Sequence, residues 1–200
     1  MNRWRRIAVA GIAVGALGLA GCGDDDSEAD RTADTPSPAT SVVNTSPTSA
    51  PTGAAAGDGA STSSAQQAVR TAAGDVPNGR VFDVELETDD GRQVFDIKVA
   101  SGGDEVKVLV DQPGEQVIRK NQSDRPSDDV AKVETAGIDA ERALEVAAER
   151  EPEAKLSEME IDTNRDGVLI WQVELVRADG SDVEIDIDAH SGAVVGTDQG

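Results

Sequence analysis

Apolar and polar residues alternate with a period of two in six stretches of the chain. These stretches are residues 82–86, 95–99, 106–110, 158–162, 169–176 and 182–188. Strict alternation is typical of antiparallel strands that bury one face and expose the other to water. The pattern therefore predicts two antiparallel β-meanders of three strands each. A short fourth strand near residues 115–118 and 193–195 is expected to close each meander.

An alanine-rich segment with helical spacing precedes each meander. The apolar positions are Ala65, Ala68, Val69, Ala72 and Ala73 in the first segment, and Ala140, Ala143, Leu144, Ala147 and Ala148 in the second. This spacing predicts two amphipathic helices. Ser64 and Asp139 are the predicted N-caps, because their side chains can accept hydrogen bonds from the first helical turn.

The two helix–meander segments are copies of each other. The stretch "SAQQAVRTAAGDVP" (64–77) aligns with "DAERALEVAAEREP" (139–152), and "DGRQVFDIKV" (90–99) aligns with "DGVLIWQVEL" (166–175). The sequence thus predicts an α+β fold of two tandem units, each a helix plus an antiparallel β-meander. Their predicted bounds are residues 64–120 and 138–197.

The start of the chain has the pattern of an export signal. Three arginines precede an apolar run at residues 7–21, which is shorter than the roughly 20 residues that a membrane-spanning helix needs. The next residue is Cys22, the only cysteine, and "LAGC" (19–22) resembles the lipobox of bacterial lipoproteins. The resemblance implies that residues 1–21 are a signal peptide and that Cys22 carries a lipid anchoring the chain outside the cytoplasmic membrane. The alternative is that Cys22 is an ordinary small residue near a conventional cleavage site.

Composition separates the anchor from the repeated units. Residues 22–63 are rich in Ser, Thr, Pro, Ala, Gly and Asp and poor in large apolar side chains, which predicts a disordered linker.

Residues 1–21 hold three basic and no acidic side chains. Without them, 15 basic and 39 acidic side chains remain, a net charge of −24. This charge disfavours nucleic acid as a partner and favours metal cations or basic proteins.

The closing strands of the two units carry a family resemblance. The stretches "EIDIDAHSGAVV" (184–195) and "KVLVDQPGEQVI" (107–118), each downstream of an alanine-faced helix, resemble the PepSY domain. PepSY domains occur in propeptides of secreted metallopeptidases and in envelope proteins, where they are thought to modulate peptidases. The resemblance implies a binding or regulatory module whose partner is an envelope protein or peptidase, and it supplies no catalytic residue.

The stretch "DTNRDG" (162–167) is a candidate calcium loop. Asp162, Asn164 and Asp166 stand at the first, third and fifth positions of such a loop, but its twelfth position is Val173 rather than glutamate. Asp, Asn and Gly are also the residues that a hairpin turn needs. Both interpretations stay open, and calcium is the one cofactor that the sequence suggests.

Acidic residues on the polar side of the second meander form a candidate partner-binding face. If residues 177–181 form the loop between two strands, Glu174 lies opposite Glu184, with Asp186 two residues further on. Opposed like charges destabilise a sheet, which suggests a cation or a basic partner protein. A solvated face that prevents edge-to-edge aggregation would show the same pattern.

Residues for catalysis are scarce in this sequence. His190 is the only histidine, the only cysteine is assigned to the lipid, and no glycine-rich phosphate loop is present. Nucleophilic and nucleotide chemistry lack their usual groups. The sequence therefore predicts a protein that is not an enzyme. A hydrolase that uses one of the many carboxylates is the alternative, although no carboxylate is singled out.

Overall fold

The protein, described here by a computed structural model of residues 59–200, consists of an antiparallel sheet and three helices. In chain order the elements are β1 (Ala60–Ser61), α1 (Thr62–Asp75), β2 (Arg80–Asp89), β3 (Arg92–Ser101), β4 (Asp104–Asp111), β5 (Val117–Gln122), α2 (Asp129–Thr135), α3 (Ala140–Arg150), β6 (Lys155–Thr163), β7 (Leu169–Val176), β8 (Asp182–Asp188) and β9 (Val194–Gln199). The predicted signal peptide, Cys22 and the linker as far as residue 58 lie outside the described residues.

Strand pairing joins the two units into one sheet. Strands β2–β5 form the first meander and β6–β9 the second. The strand order is β5-β4-β3-β2-β6-β7-β8-β9, because residues 83–85 of β2 pair antiparallel with residues 158–160 of β6. The short strand β1 pairs with the same edge of β6. This arrangement confirms the predicted α+β fold of two helix–meander units and adds the register between them.

One face of the sheet is buried under the helices. Trp171, Phe82 and Phe95 on this face are at most 1% exposed, as the alternation predicted. The alanines of α1 and α3 that face the sheet are equally buried, and their small side chains let both helices lie close to the strands. No helix among residues 59–200 is long and apolar enough to cross a bilayer.

Helix starts agree with the sequence in one unit and differ in the other. Asp139 caps α3 as predicted, since its carboxylate accepts the N–H of Arg142 at 2.9 Å. The prediction of Ser64 as the cap of α1 was wrong, because Ser61 Oγ accepts the N–H of Ser64 at 3.1 Å. Ser61 belongs to β1, so β1 and the first residues of α1 lie inside the stretch assigned to the linker. Gly59 permits this pairing, since a Cβ there would lie 2.7 Å from the Cβ of Lys155.

Helix α2 was not predicted from the sequence. It buries Val130 and Val133 and packs against β2, β3 and β6. Because β2 and β6 belong to different units, α2 covers the sheet where the two units meet. The closing strands also differ from the expected ranges, since β5 and β9 begin at Val117 and Val194 and continue to Gln122 and Gln199.

An aspartate organises the closing turn of each unit. Asp111 Oδ1 accepts the N–H groups of Glu115 and Gln116 at 2.7 and 2.9 Å. Asp188 Oδ1 accepts those of His190 and Ser191 at 3.1 and 2.7 Å. These bonds add to the backbone hydrogen bonds of each turn, which gives a physical reason for the aspartate at the end of the third strand in both copies.

Candidate acidic binding face

The polar face of the sheet carries a row of acidic residues that crosses both units. Glu85 lies opposite Glu158, Glu158 opposite Glu174, Glu174 opposite Glu184, and Glu184 opposite Asp198. We call these five residues the acidic row. Directly opposed residues of antiparallel strands have Cβ atoms about 4.5–5.5 Å apart, so the row brings like charges into close contact. The predicted pairing of Glu174 with Glu184 is present.

A second row runs beside the acidic row. It consists of Asp83, Glu160, Gln172, Asp186 and Gly196, each opposite the next. Three of its members are acidic, and the predicted partner-binding residue Asp186 is among them. Glu174, Glu184 and Asp186, which the sequence predicted as partner-binding residues, thus lie on β7 and β8 within a larger acidic surface. We call the two rows together the acidic face.

Burial of these carboxylates disfavours their charged form. Burial, and then repulsion from Glu160, Glu85, Asp83 and Glu174, raises the pKa of Glu158 from 4.5 to about 7. Glu158, whose pKa is raised by four neighbouring acids, lies where the two units meet.

The same effect extends across the second unit. Burial is the main cause that raises the pKa of Glu160, Glu174, Glu184 and Asp186 above their ordinary values. Repulsion from neighbouring acids adds to it in each case, and Asp198 does so for both Glu184 and Asp186. A cation brought to this face would be attracted by several carboxylates at once.

Two lysines of the first unit neutralise carboxylates on the polar face of that unit. Lys98 Nζ lies 2.6 Å from Asp83 Oδ2, and Lys107 Nζ lies 2.5 Å from Asp96 Oδ2. No lysine or arginine within residues 59–200 lies within 4 Å of a carboxylate of Glu158, Glu160, Glu174, Glu184, Asp186 or Asp198. The acidic face therefore keeps an excess of negative charge on its second-unit side.

The "DTNRDG" stretch forms the hairpin turn between β6 and β7. Asn164 Oδ1 accepts the N–H groups of Asp166 and Val168, each at 3.0 Å. Lys132 Nζ donates to Asp162 Oδ1 at 2.8 Å. Burial opposes this ion pair, but the hydrogen bonds from Lys132 and Thr163 outweigh it and lower the pKa of Asp162. Two of the three predicted calcium ligands thus already have partners.

The calcium site remains a prediction. Within residues 59–200 no group of three or more His, Cys, Asp or Glu side chains is placed to hold a metal ion. His190 is exposed in the turn after β8, and Cys22 lies outside the described residues.

Several residues of the acidic face were missed by the sequence reasoning. Alternation placed Glu158 and Glu160 on the polar face, but it gave no sign that Glu85 or Asp83 lies beside them. That contact depends on the pairing of β2 with β6, which links residues more than 70 positions apart. Asp198 was missed because the predicted last strand ended at residue 195.

Comparison with known proteins gives a family match in both units. The family model described as "Peptidase propeptide and YPEB domain" (PepSY) matches residues 62–112 and 137–198, together more than half of the chain. Uncharacterized protein YkoJ of Bacillus subtilis (strain 168) is 24% identical over 130 residues, which cover 65% of this chain and 71% of YkoJ.

Two solved structures are among the similar ones. The Clostridium difficile 630 protein CD1622 has a TM-score of 0.38 at 20% identity, covering 61% of this chain and 83% of that one. The Bacillus megaterium YpeB C-terminal domain has a TM-score of 0.27 at 18% identity, covering 70% of this chain and 65% of that one.

Proposed function

This chain belongs to the PepSY family, and from that membership we propose that it is a lipid-anchored regulatory module acting outside the cytoplasmic membrane. Its target is an envelope protein with a basic surface, and the family's link to peptidase propeptides makes a peptidase the first candidate. Cys22 carries the lipid in this proposal. The module binds its target and performs no chemistry of its own.

The uncompensated charge of the acidic face carries the proposal. Asp83 and Asp96 in the first unit are paired with Lys98 and Lys107, whereas the carboxylates of Glu174, Glu184 and Asp186 have no cation beside them among the described residues. Burial and mutual repulsion make the charged forms costly in the free protein. A lysine or arginine surface placed on this face would relieve that cost, and charge complementarity of this kind favours fast and specific association.

Capture of the partner in intact envelopes tests the proposal. The full-length chain is cross-linked in cells that make it and then purified, and captured proteins are identified by mass spectrometry. We expect a basic envelope protein that is lost from the triple variant Glu174→Gln/Glu184→Gln/Asp186→Asn.

A matched variant distinguishes the effect of charge on the acidic face from the effect of the protein's total charge on capture. Glu134, Glu153 and Asp124 are exposed residues outside the acidic face and form no ion pair within residues 59–200. Neutralising these three changes the net charge equally, and capture should survive. Equal loss in both variants would show that total charge alone matters, and absence of any captured protein from the unmodified chain would refute the proposed function.

A further inference from the structure

Strand β9 leaves one edge of the sheet open beside the acidic face. It pairs with β8 on one side, and within the described residues no strand pairs with its other side. Val194 and Val195 at its start are 38% and 53% exposed. An unpaired edge offers a row of backbone donors and acceptors to an incoming strand.

The register shows which backbone groups point outward. The N–H of Gly200 donates to the carbonyl of Asp182 at 3.1 Å. Hydrogen-bonded and non-bonded pairs alternate along antiparallel strands, so Asp198 and Gly196 also bond to β8. Thr197 and Gln199 therefore direct their N–H and C=O groups away from the sheet. Within residues 59–200 these groups have no backbone partner, so they can pair with another strand.

The opposite edge of the sheet is better protected. Strand β5 carries Arg119 and Lys120, which pair with Asp89 and Asp75 at 3.9 and 2.7 Å. Charged side chains of this kind discourage pairing between sheet edges. Strand β9, with the sequence "VVGTDQ", has neither a basic residue nor a proline.

Gly196 exposes the carboxylate of Asp186 to this edge. A Cβ at position 196 would lie only 2.7 Å from Asp186 Oδ2, so the carboxylate occupies the space above the glycine. Asp186 Oδ1 is buried and has no hydrogen-bond partner among the described residues. A long basic side chain on a strand added beside β9 could cross Gly196 and reach this carboxylate, since no side chain at position 196 intervenes.

We propose that β9 binds an extended basic segment of the partner as an additional strand, with its lysine or arginine side chains facing Asp186 and Asp198. The inference rests on the proposed function and specifies how the partner is held. Backbone hydrogen bonds to Thr197 and Gln199 supply affinity, and the flanking carboxylates select basic over acidic segments.

A synthetic peptide in which lysine alternates with valine and threonine tests this mode on the purified full-length chain. A peptide with glutamate in place of lysine is the control. We expect the lysine peptide to bind more weakly as salt rises, and the glutamate peptide not to bind. Hydrogen exchange at the amides of Thr197 and Gln199 should slow when the lysine peptide is added, because strand addition places these amides in hydrogen bonds.

Substitution at the edge distinguishes strand addition from attraction to the face. Thr197→Pro removes an outward N–H that β8 does not use, so the fold should persist while peptide affinity falls about tenfold. Thr197→Val keeps the N–H and should bind normally. Asp186→Asn should weaken binding about threefold.

Each outcome decides the proposal. Peptide binding without slowed exchange at Thr197 and Gln199 would overturn strand addition even if Thr197→Pro failed to fold, because this readout uses the unmodified chain. Capture of the envelope partner by Thr197→Pro at the unmodified level would also overturn it, while leaving the proposed function intact. Self-association of the chain through β9 would replace the partner segment with a second copy and would equally refute it.

Discussion

Replacing Glu158 with glutamine should stabilise the protein at neutral and alkaline pH. Glu158 lies where β6 meets β2, and burial together with repulsion from Glu160, Glu85, Asp83 and Glu174 raises its pKa from 4.5 to about 7. Glutamine keeps the size of the side chain and removes its charge. The substitution therefore tests whether the junction between the units is destabilised by its own carboxylates.

The sign follows from proton linkage. Between about pH 4.5 and pH 7 the folded protein holds more protons at Glu158 than the unfolded chain does, so the free energy of unfolding falls as the pH rises. The stabilisation is complete below the unfolded pKa and is lost once the pH exceeds the folded one. Glu160, Glu174, Glu184 and Asp186 have pKa values raised for the same main reason and act in the same direction.

The size of the effect follows from the shift. Moving the pKa of Glu158 from 4.5 to about 7 corresponds to at most about 3 kcal/mol. Solvent screening of this half-buried side chain reduces the expected gain to about 1–2 kcal/mol. For a folded region of this size, that corresponds to a rise in Tm of roughly 2–8 °C.

Urea unfolding followed by circular dichroism, at intervals from about pH 5 to about pH 8, measures the effect. Glu158→Gln should flatten the fall in stability that the unmodified protein shows over this range. Glu153→Gln, at an exposed residue in the turn before β6, serves as the control and should leave the profile unchanged. A Glu158→Gln protein that is less stable at about pH 8, with an unaltered slope, would refute the reasoning.

Three further predictions concern the turns and the anchor. Because Asp162 and Asn164 already have hydrogen-bond partners, calcium should raise Tm only slightly, and equally in Asp166→Ala. A saturable shift that is lost in that variant would instead establish the calcium site. Gly114→Ala should lower the free energy of unfolding by at least about 2–3 kcal/mol, because the φ of Gly114 is +85° and a Cβ would lie 2.5 Å from the carbonyl oxygen of Ser64. Gly102→Ala is the control: its φ is +60° with open space around it, so the loss should be only about 1 kcal/mol. Equal losses in urea unfolding would contradict this packing argument. Cys22→Ser should abolish metabolic labelling with palmitate and release the chain from membranes, and retained labelling would show that Cys22 is not the anchor.

Local signals in the sequence were sufficient for the elements within each unit. The five-residue loop 177–181 closes with the N–H of Arg177 on the carbonyl of Ser181, and this short connection fixes Glu174 opposite Glu184. Asp139 was identifiable as a cap because a single suitable residue precedes the apolar face of α3. In both cases the deciding interactions lie within a few residues along the chain.

Long-range pairing determined what the sequence could not show. The stretch "STSS" (61–64) offers four suitable cap residues, and Ser61 is selected because β1 pairs with β6 and holds it in an extended conformation. The acidic row likewise depends on the contact of β2 with β6. Alternation assigns a residue to a face but cannot specify which strand of another unit lies beside it.

The junction also bears on which interpretation of the acidic face is correct. A face that only keeps the protein soluble has no need for opposed carboxylates that are half-buried at the junction, since exposed and separated charges would serve without the repulsion. The first unit shows that this fold accommodates compensation, because Lys98 and Lys107 pair with Asp83 and Asp96 on the same face. If Glu158→Gln stabilises the protein and also weakens capture of the partner, the uncompensated charge serves binding at the expense of stability. If it stabilises the protein and leaves capture unchanged, the junction lies outside the contact, and binding is confined to the part of the acidic face nearer β9.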